Sequence, residues 1–233
     1  MNQTTTTREN LKSNREIFSE IYSNSLWHKM PGEKFGSGSG SHDEKIIVPY
    51  INLLIPLIVN NNIQRITDLG CGDFWIMRQV LDTLNKNNYK FFYNGVDVVE
   101  ELINYNSETF GRPNVKFYCM DAAQVDSQFP FGELLIIRQV LQHLSNDDVK
   151  IILDKAKNFK FVLVTESIYD GADAVHNINF SASYSTRGDF KSGVYVEYPP
   201  YNFKNVVHLL KIQGKNGAGD VIRSSLIIND VTL

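Results

Sequence analysis

Arg65-Ile66-Thr67-Asp68-Leu69-Gly70-Cys71-Gly72 is the stretch that decides how this chain folds. An apolar run closes on an acid and then turns through Gly-x-Gly. Glycine in such a turn lets the backbone come close to a ligand that a side chain would hold away. Ile76, Val80, Leu81 and Leu84 follow at helical spacing. A strand, a glycine turn and a helix in that order form the first unit of a parallel sheet.

The same alternation continues downstream. Residues 91–96 read as a strand ending in Asp97, and 100–110 as a helix. Residues 115–120 read as a strand ending in Asp121, and 134–138 as a fourth strand. Ser145-Asn146-Asp147-Asp148 matches a capping box that opens a helix to about residue 158. Residues 161–165 make a fifth strand ending in Glu166. The tail differs: runs 206–213 and 221–228 are joined by Gly214-Lys215-Asn216-Gly217-Ala218-Gly219-Asp220, the mark of an antiparallel hairpin. The predicted class is α/β: a doubly wound, mostly parallel seven-stranded sheet with a C-terminal antiparallel hairpin.

Upstream, residues before about 11 are polar and read as unstructured. Leu11, Ile17, Phe18, Ile21 and Tyr22 suit one face of a helix over 11–27. A Gly/Ser stretch follows, Gly36-Ser37-Gly38-Ser39-Gly40-Ser41, which reads either as a linker or as a lid. Ser41-His42-Asp43-Glu44 matches a capping box opening an apolar helix from about Asp43. The expected division is 1–62 for N-terminal helices and lid loop, and 63–233 for the core. A polar insertion at about 167–203 is long for a compact domain and is expected to bind a substrate.

Composition narrows the function. The 233 residues carry a net charge of −3 and no long basic run, so nucleic-acid binding lacks its electrostatic footprint. Two cysteines, Cys71 and Cys119, make no disulfide framework and point to a reducing compartment. No signal peptide is read. The most apolar window, 46–59, falls short of the ~20 residues of a membrane helix and holds two prolines. A cytoplasmic protein with no membrane and no nucleic-acid partner is expected.

Ligands of open parallel sheets bind at the carboxyl ends of the strands. Here those ends carry Asp68, Asp97, Asp121 and Glu166. A dinucleotide loop would place glycine where Trp75 stands, and a pyrophosphate would not welcome Asp73. No phosphate-binding G-x-x-x-x-G-K-[ST] loop occurs. A cationic sulfonium and ammonium tolerate these acids far better.

Four segments carry a resemblance. Asp68-Leu69-Gly70-Cys71-Gly72 resembles motif I of the class I methyltransferases. Gly95-Val96-Asp97 resembles the acidic motif on their second strand, and Met120-Asp121-Ala122 their adenine-binding turn. Residues 138–144, Arg138-Gln139-Val140-Leu141-Gln142-His143-Leu144, resemble the segment after their fourth strand. The match spans about 63–166 and implies S-adenosylmethionine as cofactor, with S-adenosylhomocysteine as product. On that resemblance Gly70 and Gly72 pass under the methionine moiety, with Cys71 as a small residue between them. Asp68 orients the loop or meets the ammonium, and Asp97 accepts from the ribose hydroxyls. Asp121 and the Ala122 backbone meet the adenine, unless Asp121 merely caps a turn. Arg138 joins this cofactor set, as do Gly38 and Ser39 if the Gly/Ser loop is a lid.

The acceptor side is less marked. His143 and His176 are candidate bases, although His143 also suits a bracing role before the Ser145 cap. Glu166, Asn179, Arg187 and Asp189 are candidate acceptor contacts, with Asp173 as a further acid. Tyr184, Tyr195, Tyr198 and Tyr201 suit an apolar wall. His176, Asp173 and Asp189 hold ligand atoms, but no ligand spacing supports a metal, and none is assigned. The Gly/Ser segment with Trp27 before it resembles a subgroup of small bacterial methyltransferases of sugar and secondary-metabolite pathways, and that resemblance implies O-methylation of a sugar, a nucleotide-linked sugar or a similar hydroxylated small metabolite. Its alternatives are N-methylation of an amine or small peptide, and a non-catalytic regulatory protein that binds the same cofactor.

Overall fold

Residues 12–215, 217 and 219–231 are described in a computed structural model. The reading of the segment before about residue 11, and of Leu11 itself, lies outside them. The elements run α1 (Asn14–Ser23), α2 (Glu44–Asn60), β1 (Arg65–Leu69), α3 (Trp75–Lys86), β2 (Phe92–Asp97), α4 (Glu100–Phe110), β3 (Val115–Cys119), β4 (Leu134–Arg138), α5 (Asn146–Ala156) and β5 (Phe161–Tyr169). Two short strands follow, β6 (Val175–His176) and β7 (Ser192–Gly193), and then the hairpin β8 (Val206–Gln213) and β9 (Asp220–Ile228).

The main sheet has seven strands in the order β3-β2-β1-β4-β5-β9-β8. β1 pairs in parallel with both β2 and β4, and β9 runs antiparallel between β5 and β8. This is the mixed doubly wound sheet that the alternation predicts. β4 shows why both faces are covered: Leu134 to Ile137 are all buried. Leu135 and Ile137 enter one apolar layer with Phe18, Leu102 and Ile152. Leu134 and Ile136 enter the other with Leu54, Val80 and Leu81. Parallel strands between two helical layers need an apolar residue at every position, not at alternate ones. The chain leaves β1 toward β3 and returns on the other side as β4. The turns after β1 and β4 therefore diverge, and a crevice opens between them.

Several boundaries differ from the sequence reading. α1 stops at Ser23, where Asn24 closes the helix, instead of running to Trp27. α2 is capped by Asp43, whose side chain accepts from the Lys45 N–H. Ser41 is therefore not the cap, and its hydroxyl meets Arg138 instead. Pro49 and Pro56 sit inside α2 without ending it. Pro56 is exposed, as is Asn52, whose carbonyl loses its helical donor. Ser145 does cap α5, accepting from the Asp148 N–H. β5 runs four residues beyond Thr165, because β9 pairs with it as far as Tyr169. In the polar insertion, β6 and β7 form a two-stranded parallel pair. Among the described residues no helix is long and apolar enough to cross a membrane.

Candidate active site

The turn after β1 is built by backbone geometry. Gly70 has φ +72°, and a Cβ there would overlap Val140 Cγ2. The Gly70 and Cys71 N–H groups donate to the Val96 carbonyl at 2.8 and 3.0 Å, which pins the turn to the end of β2. Gly72 N–H donates to Asp97 Oδ2 at 3.2 Å, and Asn106 donates to the Gly72 carbonyl at 2.8 Å. Phe74 then starts α3 from a left-handed conformation, φ +61°. The rings of Tyr93, Phe110 and Phe117 enclose it. Strain of this kind in a bulky residue persists only where its surroundings fix it, and it gathers at functional sites.

This turn forms one wall of a cavity of about 320 Å³ at the carboxyl ends of the strands. Asp68, Gly70, Cys71 and Gly72 line it, joined by Asp97, Asp121, Ala122 and Arg138. Gly38 and Ser39 line it from the Gly/Ser loop. The sequence-predicted cofactor residues thus surround one space.

Their electrostatics differ. Burial pushes the Asp68 carboxyl up to about 7, against the Tyr93 hydroxyl that donates to it and the nearby Arg138 charge. Burial also raises Asp97, whose Oδ1 accepts from the Val99 N–H at 3.1 Å. Asp121 holds its own turn: Oδ1 accepts from the Ala123 N–H at 3.0 Å and Oδ2 from the Gln124 amide at 3.2 Å. Cys71 is buried and its thiol is pushed well up, so the thiol form dominates. Arg138 donates to the Gly40 carbonyl at 2.7 Å and to Ser41 Oγ at 3.2 Å.

The acceptor candidates separate. His143 lines the cavity. Its Nδ1 lies 3.1 and 3.0 Å from the carbonyls of Ser183 and Ser185. Two carbonyls can only accept, so Nδ1 carries the proton and the lone pair lies on Nε2. Gln142 donates to that Nε2 at 3.1 Å, while its Oε1 accepts from the Ser167 N–H at 2.8 Å. The Ser167 hydroxyl in turn donates to Asp220 Oδ1 at 2.7 Å. Burial lowers the His143 pKa to about 4.

The other candidates lie elsewhere. His176 is exposed and stacks on Tyr198, centroids 3.9 Å apart. Asn179 and Asp189 are exposed and do not line the cavity. Glu166 is buried, and its carboxylate accepts from the N–H groups of Val140, Leu141 and Gln142 at 3.0–3.2 Å. Burial pushes it up to about 7 while those three donors pull it down. It holds the turn after β4 from behind. Arg187 is fully buried and donates to the carbonyls of Ile178, Leu141 and Leu144 and to Asn146 Oδ1. The expected acceptor contact at Arg187 gives way to a brace, because the buried guanidinium spends its donors on carbonyls of the turn after β4 and of the insertion. Among the described residues no three His, Cys, Asp or Glu gather as a metal site.

Asp73, read in the sequence only as an acid unsuited to a pyrophosphate, lines the cavity, as do Gln142, Thr186 and Lys215, to which the sequence reading gave no role. Trp27 does so as well, its ring 5.2 Å from that of His143. Of the four tyrosines read as a wall, Tyr184 alone lines it. The signal for Gln142 and Ser167 was a polar residue inside an apolar run.

No protein-family model matches this sequence, and no curated protein matches it by sequence. Solved structures do match in fold. The N-methyltransferase NodS from Bradyrhizobium japonicum WM9, in complex with S-adenosylhomocysteine, superposes with a TM-score of 0.62 at 12% identity, over 94% of this chain and 100% of that one. The N-terminal domain of EvdMO1, crystallised in the presence of S-adenosylhomocysteine and D-fucose, gives 0.53 at 13% identity over 94% and 98%. Magnesium protoporphyrin IX methyltransferase from Synechocystis PCC 6803, with bound S-adenosylmethionine, gives 0.53 at 10% over 94% and 99%. The fold is that of the class I methyltransferases.

Proposed function

We propose that this protein is an S-adenosylmethionine-dependent methyltransferase acting on a hydroxylated small metabolite, a sugar or a nucleotide-linked sugar. The observation that carries the cofactor is the cavity wall itself. A glycine turn with no room for a side chain stands beside Asp68, Asp97 and Asp121, and acids suit a ligand bearing a sulfonium and an ammonium group. In this reading Gly70 and Gly72 admit the methionine part, Asp97 holds the ribose, and Asp121 with Ala122 faces the adenine. The cofactor supplies an electrophilic methyl group; the chain aligns the acceptor and excludes water.

A hydroxyl nucleophile must lose a proton, and His143 Nε2 is the accepting atom in this reading. The carbonyls of Ser183 and Ser185 keep the lone pair on that nitrogen, and the Gln142 amide that donates to it yields to the acceptor hydroxyl. Trp27, Tyr184 and Thr186 form the acceptor wall. A second reading, N-methylation of an amine, is favoured by the depressed basicity of the same ring: a neutral amine needs no strong base.

One experiment separates the readings. Sugars, nucleotide sugars and amines are screened for S-adenosylhomocysteine release, and the best acceptor is assayed with His143→Gln. The hydroxyl reading expects a loss of at least about 100-fold in kcat with cofactor affinity intact. Full activity on an amine supports the second reading. Cofactor binding with no product release from any acceptor supports a non-catalytic role. The pH profile adds a sign. The lowered pKa keeps His143 neutral well below 6.5, so the part of the kcat profile that belongs to the histidine falls only toward pH 4, below any step from Asp68 and Glu166, both pushed up to about 7. A break near 6.5 that His143→Gln removes would show that the ring does not work as a buried neutral base.

A further inference from the structure

The Gly/Ser loop between α1 and α2 forms a wall of the cavity from Ser37 to Ser41. It is held by a residue outside the expected cofactor set. Asp73 Oδ2 accepts from the Ser37 N–H at 2.9 Å, and the Asp73 N–H donates back to Ser37 Oγ at 2.8 Å. Asp73 Oδ1 accepts from the Trp75 N–H at 3.1 Å, so one carboxylate ties the loop to the first turn of α3. His42 Nε2 lies 2.8 Å from Asp73 Oδ2, its side chain 2% exposed. The Tyr22 hydroxyl is 3.2 Å from Ser37 Oγ, which brings α1 into the same junction.

The fit between loop and turn is close. A Cβ at Gly72 would overlap Ser37 Oγ, and a Cβ at Gly40 would overlap the Gln139 amide. At the far end Arg138 holds the Gly40 carbonyl and the Ser41 hydroxyl. The loop is therefore fastened at both ends, to the turn after β1 and to the end of β4.

We infer that Asp73 is a positioning residue for cofactor binding. Its carboxylate latches the Gly/Ser loop over the cavity, and affinity for S-adenosylmethionine depends on that latch. The inference rests on reading the cavity as the cofactor site. Hydrogen bonds from backbone N–H groups to a carboxylate are about twice as strong as neutral ones. Asparagine has nearly the same shape, but its single oxygen cannot accept at once from Ser37 and Trp75. Aspartate fits both, and its charge also suits a close histidine.

The test uses the full chain and S-adenosylhomocysteine as probe. Wild type, Asp73→Asn, Ser37→Ala and the double variant are compared by calorimetry, thermal melting and limited proteolysis within 36–41. The latch predicts at least a ~10-fold weaker affinity for Asp73→Asn, with the ligand-free melting point within a few degrees of wild type. Ser37→Ala should lose less, and the double variant no more than Asp73→Asn alone, since both sever one junction. Cleavage within 36–41 should be faster in Asp73→Asn than in wild type even without ligand. A merely structural aspartate would lower the melting point and leave affinity in the folded protein unchanged, and that result overturns the proposal. Should Asp73→Asn fail to fold, unchanged affinity in Ser37→Ala overturns it equally. If wild type itself does not bind S-adenosylhomocysteine, the cofactor reading fails; the ligand-free cleavage rates still judge the latch.

Discussion

The two halves of the cavity are built by different means. Around Asp68–Asp73 the backbone does the shaping: positive φ angles at Gly70, Gly72 and Phe74, and N–H groups fixed on Val96 and Asp97. On the insertion side, side chains do it. Arg187, fully buried, gathers three carbonyls from two segments, and His143 pins two more. A wall made of backbone needs particular residues at fixed spacing. A wall made of side chains can be assembled from positions far apart in the chain, and its recognition chemistry is free to vary.

That contrast can be broken at four places. Gly70→Ala should do most damage. It forces a side chain into a left-handed conformation, about 1–2 kcal/mol, and into Val140, about 1–3 kcal/mol more. Denaturation of the variant with and without S-adenosylhomocysteine checks both stability and binding; a wild-type result on both would mean the turn is not tight. Arg187→Met should destabilise the fold by about 2–4 kcal/mol, because the Leu144 carbonyl loses its donor and the Leu141 carbonyl keeps only the Leu144 N–H. Affinity for S-adenosylhomocysteine in the folded variant should stay near wild type, and a selective loss of affinity instead would return Arg187 to a ligand-binding role.

Asp97→Ala should weaken S-adenosylhomocysteine by about 1.5–3 kcal/mol in calorimetry, the range for hydrogen bonds to a charged group. Unchanged affinity in a folded variant removes Asp97 from the site. His176→Ala should change stability by no more than about 0.5 kcal/mol, as befits an exposed residue. It should leave turnover unaltered. A large fall in kcat there would show that the insertion moves its outer surface onto the acceptor.

The same contrast explains what the sequence disclosed. The strand ends at Asp68, Asp97 and Asp121 and the glycine turn were legible because each is a local pattern with one backbone meaning. Glu166 was equally visible as an acid ending an apolar run. Yet β5 continues past it, because Ser167 finds Asp220 on β9, 53 residues away. Its carboxylate faces the backbone of the turn after β4 and not the cavity. Arg187 and Asp189, two residues apart, look alike in a polar loop. One is fully buried and the other exposed, and only the tertiary arrangement of Leu141, Leu144 and Ile178 decides which. The Gly/Ser stretch read equally as linker or lid because its partner, Asp73, lies 36 residues on.

The polar series from the hairpin to the insertion has a mechanical consequence. Asp220, Ser167, Gln142, His143 and the carbonyls of Ser183 and Ser185 follow one another: the Ser167 hydroxyl donates to Asp220, and from the Ser167 N–H onward every donor points toward the insertion. Rotating the Gln142 amide by half a turn would set N–H against the Ser167 N–H and oxygen against His143 Nε2. The ring would then have to move its proton and release two carbonyls of the insertion. Which way round one buried amide sits therefore decides whether the insertion keeps its two anchors on the ring.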